Sequence, residues 1–191
     1  MQKLSYKVIN GITIYRIITT PVLLLLIFTG NQNLFKWLLP ISFFTDLIDG
    51  YLSRKYKVTS ILGARLDSIG DDLTILTAIA GLFVFKFQFI KEEILIIGIL
   101  FAVLAVQNIL ALIRYGKISS FHTYLAKTAA LLQGSFLMLA FISPEPDKTL
   151  FYVASVITII ELTEEIILVF IFPEWKINIK GLYWLFKSKK V

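Results

Sequence analysis

Between positions 46 and 72 the chain sets five aspartates, Asp46, Asp49, Asp67, Asp71 and Asp72, into a sequence that is 57% hydrophobic and only 17% charged. With a mean hydropathy of +0.79 over 191 residues, it is too apolar for an ordinary soluble domain and too short for more than one large domain. It reads as an integral membrane protein. Inside a membrane bundle, carboxylates at this density lose hydration and repel one another, so they persist only with partners. Asp46 and Asp49 are spaced i,i+3 and Asp67 and Asp71 i,i+4; on two helices each pair shares a face, and the two faces can meet. Divalent cations would neutralise that convergence. The chain has no Cys, and its one His, His122, lies outside the stretch, so the available ligands are hard oxygens, which favours Mg²⁺ or Mn²⁺ over zinc or copper.

The apolar segments divide into six spans of about twenty residues, the length that matches a bilayer. They cover residues 10–30, 34–57, 60–87, 93–113, 122–142 and 149–172. Residues 1–9, with Leu4, Val8 and Ile9 against Lys3 and Lys7, read as an interfacial helix, and 173–191 as an amphipathic segment with Leu182, Tyr183, Trp184, Leu185 and Phe186 among lysines. The fold expected is therefore all-α: one polytopic domain over 1–191, with a six-helix bundle over 10–172 and interfacial helices at both ends. The first apolar segment lacks a small-residue cleavage site and is followed by further spans, which argues against a signal peptide.

In a six-span arrangement Lys3, Lys7, Arg54, Lys55, Lys57, Arg114, Lys117, Lys176, Lys180, Lys187, Lys189 and Lys190 fall on one side, and only Lys36, Lys86, Lys91 and Lys148 on the other. The richer side is the cytoplasmic one. The formal charge of +6 does not indicate nucleic acid, because the basic residues are not gathered on one soluble face. An anionic bilayer and phosphate-bearing substrates account for it better.

The aspartates sit in a longer pattern, Asp46-x2-Asp49-Gly50-x2-Ser53-Arg54-x8-Gly63-x3-Asp67-x3-Asp71. It resembles the signature of the CDP-alcohol phosphotransferases, membrane enzymes of phospholipid synthesis, departing from it at Ser53, where the family pattern has Ala. The resemblance implies an enzyme that transfers the phosphatidyl group of CDP-diacylglycerol to the hydroxyl of a small alcohol and releases CMP. It further implies two divalent cations, Mg²⁺ or Mn²⁺, held by Asp46, Asp49, Asp67 and Asp71, with Asp71 also the general base. Asp49, Gly50, Ser53, Arg54 and Gly63 would line the nucleotide pocket. A homodimer, as among its relatives, and a bacterial cytoplasmic membrane with the site facing the cytoplasm complete the expectation.

The acceptor is less constrained. Asn10-Gly-Ile-Thr-Ile-Tyr-Arg16 and the Ala126-Lys127 region resemble phosphatidylglycerophosphate synthases. Those enzymes usually carry Arg-Glu where Val106 and Gln107 align, and Lys at Asp72, whereas Leu66-Asp67-Ser68 is closer to the serine- and inositol-phosphate-using branches. Glycerol 3-phosphate and inositol phosphate rank level, with serine behind. An anionic acceptor needs cations beside the metals, and Arg114, Lys117 and Lys127 are the candidates; for the first two, the positive-inside bias is the competing explanation. Arg16 is balanced between substrate phosphate and headgroup snorkelling. Asp72, about 100° round a helix from Asp71, is expected to pair with a nearby cation such as Arg65 rather than bind metal. His122 reads as interfacial. Glu161, Glu164 and Glu165 have no place in the signature and are expected to pair with neighbouring cations or lie at a subunit contact. The rival reading is a small cation transporter or channel whose aspartates bind the transported ion, which leaves Gly50, Arg54 and Gly63 without a reason for their spacing.

Overall fold

The structure, a computed structural model, describes residues 18–56, 61–117, 121, 123–176 and 179–188; within these, nothing is described of the side chains of 46, 47, 49–56, 61–69, 71 and 72. The expected interfacial helix over 1–9, together with Thr13, Arg16 and His122, lies outside the described residues. Every described element is helical: α1 (Ile18–Phe28), α2 (Gln32–Tyr56), α3 (Ile61–Phe85), α4 (Phe87–Glu92), α5 (Ile94–Tyr115), α6 (Tyr124–Ile142), α7 (Lys148–Ile171) and α8 (Leu182–Ser188). There is no strand among them. The chain divides into two compact units, residues 1–89 with 137–146, and 90–136 with 147–191.

In the first unit, α2 and α3 are each 25 residues, about 37 Å at 1.5 Å per residue. They pack against each other. Phe35 near the start of α2 meets the end of α3: its ring lies 5.3 Å from that of Phe85, and a Cβ placed on Gly81 would come 2.7 Å from its Cζ. The pair is therefore antiparallel. Phe141 closes the same cluster, edge-on to Phe35 at 4.8 Å. Beside it the Lys86 Nζ donates to the carbonyls of Ser143 (2.9 Å) and Pro144 (2.7 Å). Lys86 separates α3 from the short α4, a break that hydropathy alone does not reveal.

In the second unit α5 packs on α7. Gly116, at φ +66, ends α5 in the left-handed conformation that glycine adopts without strain. Asp147 caps α7, accepting the Leu150 N–H at 3.0 Å. Lys148 bridges Glu92 (2.7 Å) and Glu93 (3.5 Å), and the Tyr152 hydroxyl donates to Glu93. The hydrogen bond to Glu92 holds the Lys148 ammonium above the ordinary lysine range. Gln133 on α6 donates to Thr158 on α7 at 2.6 Å, and the rings of Phe136 and Phe151 lie 5.3 Å apart.

Two helices, α5 and α6, are both long and apolar enough to cross a bilayer on composition. Six such helices are not established. α1 is described over a shorter apolar stretch, α2 and α3 carry the signature's charges, and α7 carries Glu161, Glu164 and Glu165. The expected amphipathic segment over 173–191 is helical only over Leu182–Ser188 among the described residues.

Candidate active site

The helices that carry the signature bury one stripe each. On α2, Phe35, Leu39 and Ser42 are buried at i, i+4 and i+7. Continued at the helical period, that stripe reaches Asp46, Asp49, Gly50 and Ser53. On α3, Gly70, Thr74, Thr77, Ala78 and Gly81 are buried, and the stripe runs back through Asp71 and Asp67 to Gly63. Asp72 falls about 160° round α3 from Thr74, off that stripe.

The Phe35–Gly81 contact sets the register between the two helices. Asp46 lies 11 residues on from Phe35, and Asp71 lies 10 residues back from Gly81, about 16 and 15 Å along antiparallel axes. Asp49 and Asp67 are each 14 residues from the contact, about 21 Å along. Asp46 is thus level with Asp71, and Asp49 with Asp67. The backbone positions of the two pairs are thus at matching distances from the Phe35–Gly81 contact.

The chemistry at this level fits divalent cations. The donors at the four positions are carboxylates, and one turn before Asp46 the Ser42 Oγ is buried without a hydrogen-bond partner. Neighbouring hydroxyls are satisfied locally: Thr45 donates to the Ser42 carbonyl, Thr74 to that of Gly70 and Thr77 to that of Leu73, each at 2.8 Å. A buried hydroxyl left over one turn from Asp46 in the chain suits an outer ligand to a hydrated cation. No rival group of three or more His, Asp or Glu placed to hold a metal occurs among the described residues.

The family model of the CDP-alcohol phosphatidyltransferases matches residues 7–172. The chain belongs to this family. It is accordingly a transferase, and the matched range includes the aspartate pattern on α2 and α3. Among its relatives, a CDP-diacylglycerol–glycerol-3-phosphate 3-phosphatidyltransferase of Rickettsia typhi is 33% identical over 129 residues, 65% of this chain and 70% of the relative. The protein of that name from Rickettsia prowazekii is 33% identical over 129 residues, covering 65% and 68%, and that from Rickettsia bellii 32% over 136 residues, covering 69% and 72%. No solved structure matches the chain.

The three cations suggested for the acceptor belong to the second unit. All are exposed. The Arg114 Nε donates to the Phe172 carbonyl at 3.0 Å, capping α7 together with the Tyr115 hydroxyl. Lys117 sits 5.3 Å from the centre of the Trp175 ring and Lys127 5.4 Å from that of Tyr124. For Arg114 the cap supplies a structural role that spacing could not reveal.

The glutamates of α7 are buried. Gln107 donates to Glu165 Oε2 at 2.7 Å across the α5–α7 contact, and the backbone N–H of Leu182 donates to Glu164 Oε1 at 2.9 Å. Amide donors thus meet two of these carboxylates. Gln107, aligned where related enzymes carry Glu, has its own work here as a donor.

Proposed function

We propose that the protein transfers the phosphatidyl group of CDP-diacylglycerol to the primary hydroxyl of glycerol 3-phosphate, releasing CMP. The observation that carries this reading is the register that sets Asp46 level with Asp71 and Asp49 with Asp67 on packed antiparallel helices. The relatives' shared name favours glycerol 3-phosphate over inositol phosphate, which the sequence had left level.

Asp46, Asp49, Asp67 and Asp71 would hold two divalent cations, Mg²⁺ or Mn²⁺. Bound there, the cations would offset the charge of the donor's pyrophosphate oxygens. Asp71 accepts the proton of the acceptor hydroxyl, a poor nucleophile at neutral pH; positioned acid–base catalysis of this kind contributes roughly 10²–10⁴-fold. The new bond joins the acceptor oxygen to the phosphorus bearing diacylglycerol. The bond from that phosphorus to the bridging oxygen breaks, and CMP leaves with the electron pair. Gly50 and Gly63, without side chains, leave room for the nucleotide against α2 and α3, Ser53 lines the same pocket, and the Arg54 guanidinium suits a phosphate oxygen. The extra hydroxyl of Ser53 is compatible with cytidine, which offers hydrogen-bonding groups of its own. Lys127, with Arg114 and Lys117, supplies positive charge for the acceptor phosphate. The architecture is a six-span homodimer in a bacterial cytoplasmic membrane, its site opening to the cytoplasm while the donor's acyl chains stay in lipid.

The test is CMP release from CDP-diacylglycerol by purified protein with Mg²⁺ or Mn²⁺, across glycerol 3-phosphate, inositol phosphate, inositol and serine. Release that depends on glycerol 3-phosphate and falls at least a hundredfold in Asp71→Asn is expected. Release with inositol phosphate alone would reassign the acceptor. Folded protein that moves Mn²⁺ across vesicles and consumes no CDP-diacylglycerol would replace the enzyme with the transporter.

A further inference from the structure

The segment after α7 is tied down through its backbone and two leucines, while its largest rings stay partly exposed. Ile179 donates its N–H to the Phe121 carbonyl at 2.8 Å, and Tyr124 donates to the Lys180 carbonyl at 3.3 Å. Next comes Gly181, at φ +129, where a Cβ would stand 2.9 Å from Glu164 Oε1. A side chain there is excluded twice, by backbone and by space. Glu164 then accepts the N–H of Leu182, the first residue of α8. Leu182 and Leu185 pack on a buried cluster of Ala111, Phe121, Leu168 and Val169.

The other large side chains of α8, Tyr183, Trp184 and Phe186, remain 66%, 42% and 56% exposed, the Trp184 ring lying 4.8 Å from that of Tyr124 on one edge. Lys176, Lys180 and Lys187 of the same segment are exposed, Lys176 with its Nζ 4.7 Å from the centre of the Phe172 ring. Seven residues, about 10 Å of helix, are too short to cross a bilayer. Exposed aromatic rings, two of them with polar groups, in a segment that also exposes three lysines match the headgroup layer of an anionic membrane: the rings enter the boundary and the ammonium groups meet lipid phosphates. A protein partner would have to cover three large rings while burying or pairing the lysines of the same segment.

We propose that α8 is a foot seated in the headgroup layer of an anionic bilayer, with Glu164 and Gly181 fixing its height against α7. This goes beyond the transferase reading and stands or falls separately from it. The probe is Trp184 in the full chain carrying Trp37→Phe and Trp175→Phe, reconstituted into vesicles of phosphatidylglycerol or phosphatidylcholine with brominated acyl chains. Bromine near the headgroup should quench Trp184 at least twofold more than bromine near the chain end. Acrylamide in the water should quench it weakly, and shielding from acrylamide should be stronger with phosphatidylglycerol. In Glu164→Ala the acrylamide quenching should rise. Strong acrylamide quenching without bromolipid quenching in the parent would overturn the proposal, as would quenching by neither, which would mean that a protein surface covers α8. Equal shielding in the two lipids would overturn its anionic character. The parent's profile decides the matter even where Glu164→Ala fails to fold.

Discussion

Gly81→Ala is the sharpest test of how the signature helices are held. The added Cβ would lie 2.7 and 3.0 Å from Phe35 Cζ and Cε1 and 3.2 Å from Phe141 Cζ. Neither ring has space to retreat: Phe35 is 0% exposed and Phe141 1%, and Phe35 is wedged between Phe141 at 4.8 Å and Phe85 at 5.3 Å. Inserting a carbon into such a core costs about 1–3 kcal/mol. Alanine's better helix propensity returns about 0.8–1 kcal/mol. The balance is a loss of up to about 2 kcal/mol, which for a chain of this length lowers Tm by up to about 8 °C. Thermal unfolding of the detergent-purified protein, followed by tryptophan fluorescence, measures it. Trimming the obstructing ring with Phe35→Leu should make the double variant more stable than the two single losses added together, by about 1 kcal/mol. A Tm for Gly81→Ala clearly above the parent's, or strict additivity in the double variant, would show that the helices do not meet as closely as described, and Asp46 would then no longer be level with Asp71.

Ser42→Ala should leave Tm unchanged or raise it, since a buried hydroxyl without a partner costs about 1–3 kcal/mol, yet it should weaken Mn²⁺ binding severalfold in electron paramagnetic resonance titrations. Lys127→Met is expected to raise KM for glycerol 3-phosphate severalfold while sparing that for CDP-diacylglycerol; an equal rise in both would assign Lys127 to the donor or to the bilayer. Gln107→Leu withdraws a 2.7 Å donor from buried Glu165 and should cost about 1–3 kcal/mol in thermal unfolding, with Gln107→Glu worse because two carboxylates would then face each other.

The family was legible because the aspartates, Gly50, Arg54 and Gly63 stand at fixed offsets, and the helices that carry them, α2 and α3, do pack against each other. Long apolar runs likewise located α5, α6 and α7 to within two residues at each end. The contacts that decide packing were not legible. Phe35 and Gly81 look like any ring and any glycine until the helices are set together, and the Glu164–Leu182 bond joins residues 18 apart across a non-helical stretch. Nor does hydropathy foretell that α3 ends at Lys86, whose ammonium leaves the helix for two carbonyls 57 and 58 residues on. The α7 glutamates were visible as anomalies, but their amide partners lie on other elements, which no local pattern names.

Phe141 also sets an order of events. Its ring completes the cluster begun by Phe35 and Gly81, yet it is synthesised 60 residues after Gly81. At about 5–20 residues per second, a ribosome takes roughly 3–12 s to reach it, whereas a helix forms in microseconds. Until then α2 and α3 are without the ring that seals their aromatic end, so a pair made before α5 and α6 is closed only when the last turns of α6 arrive.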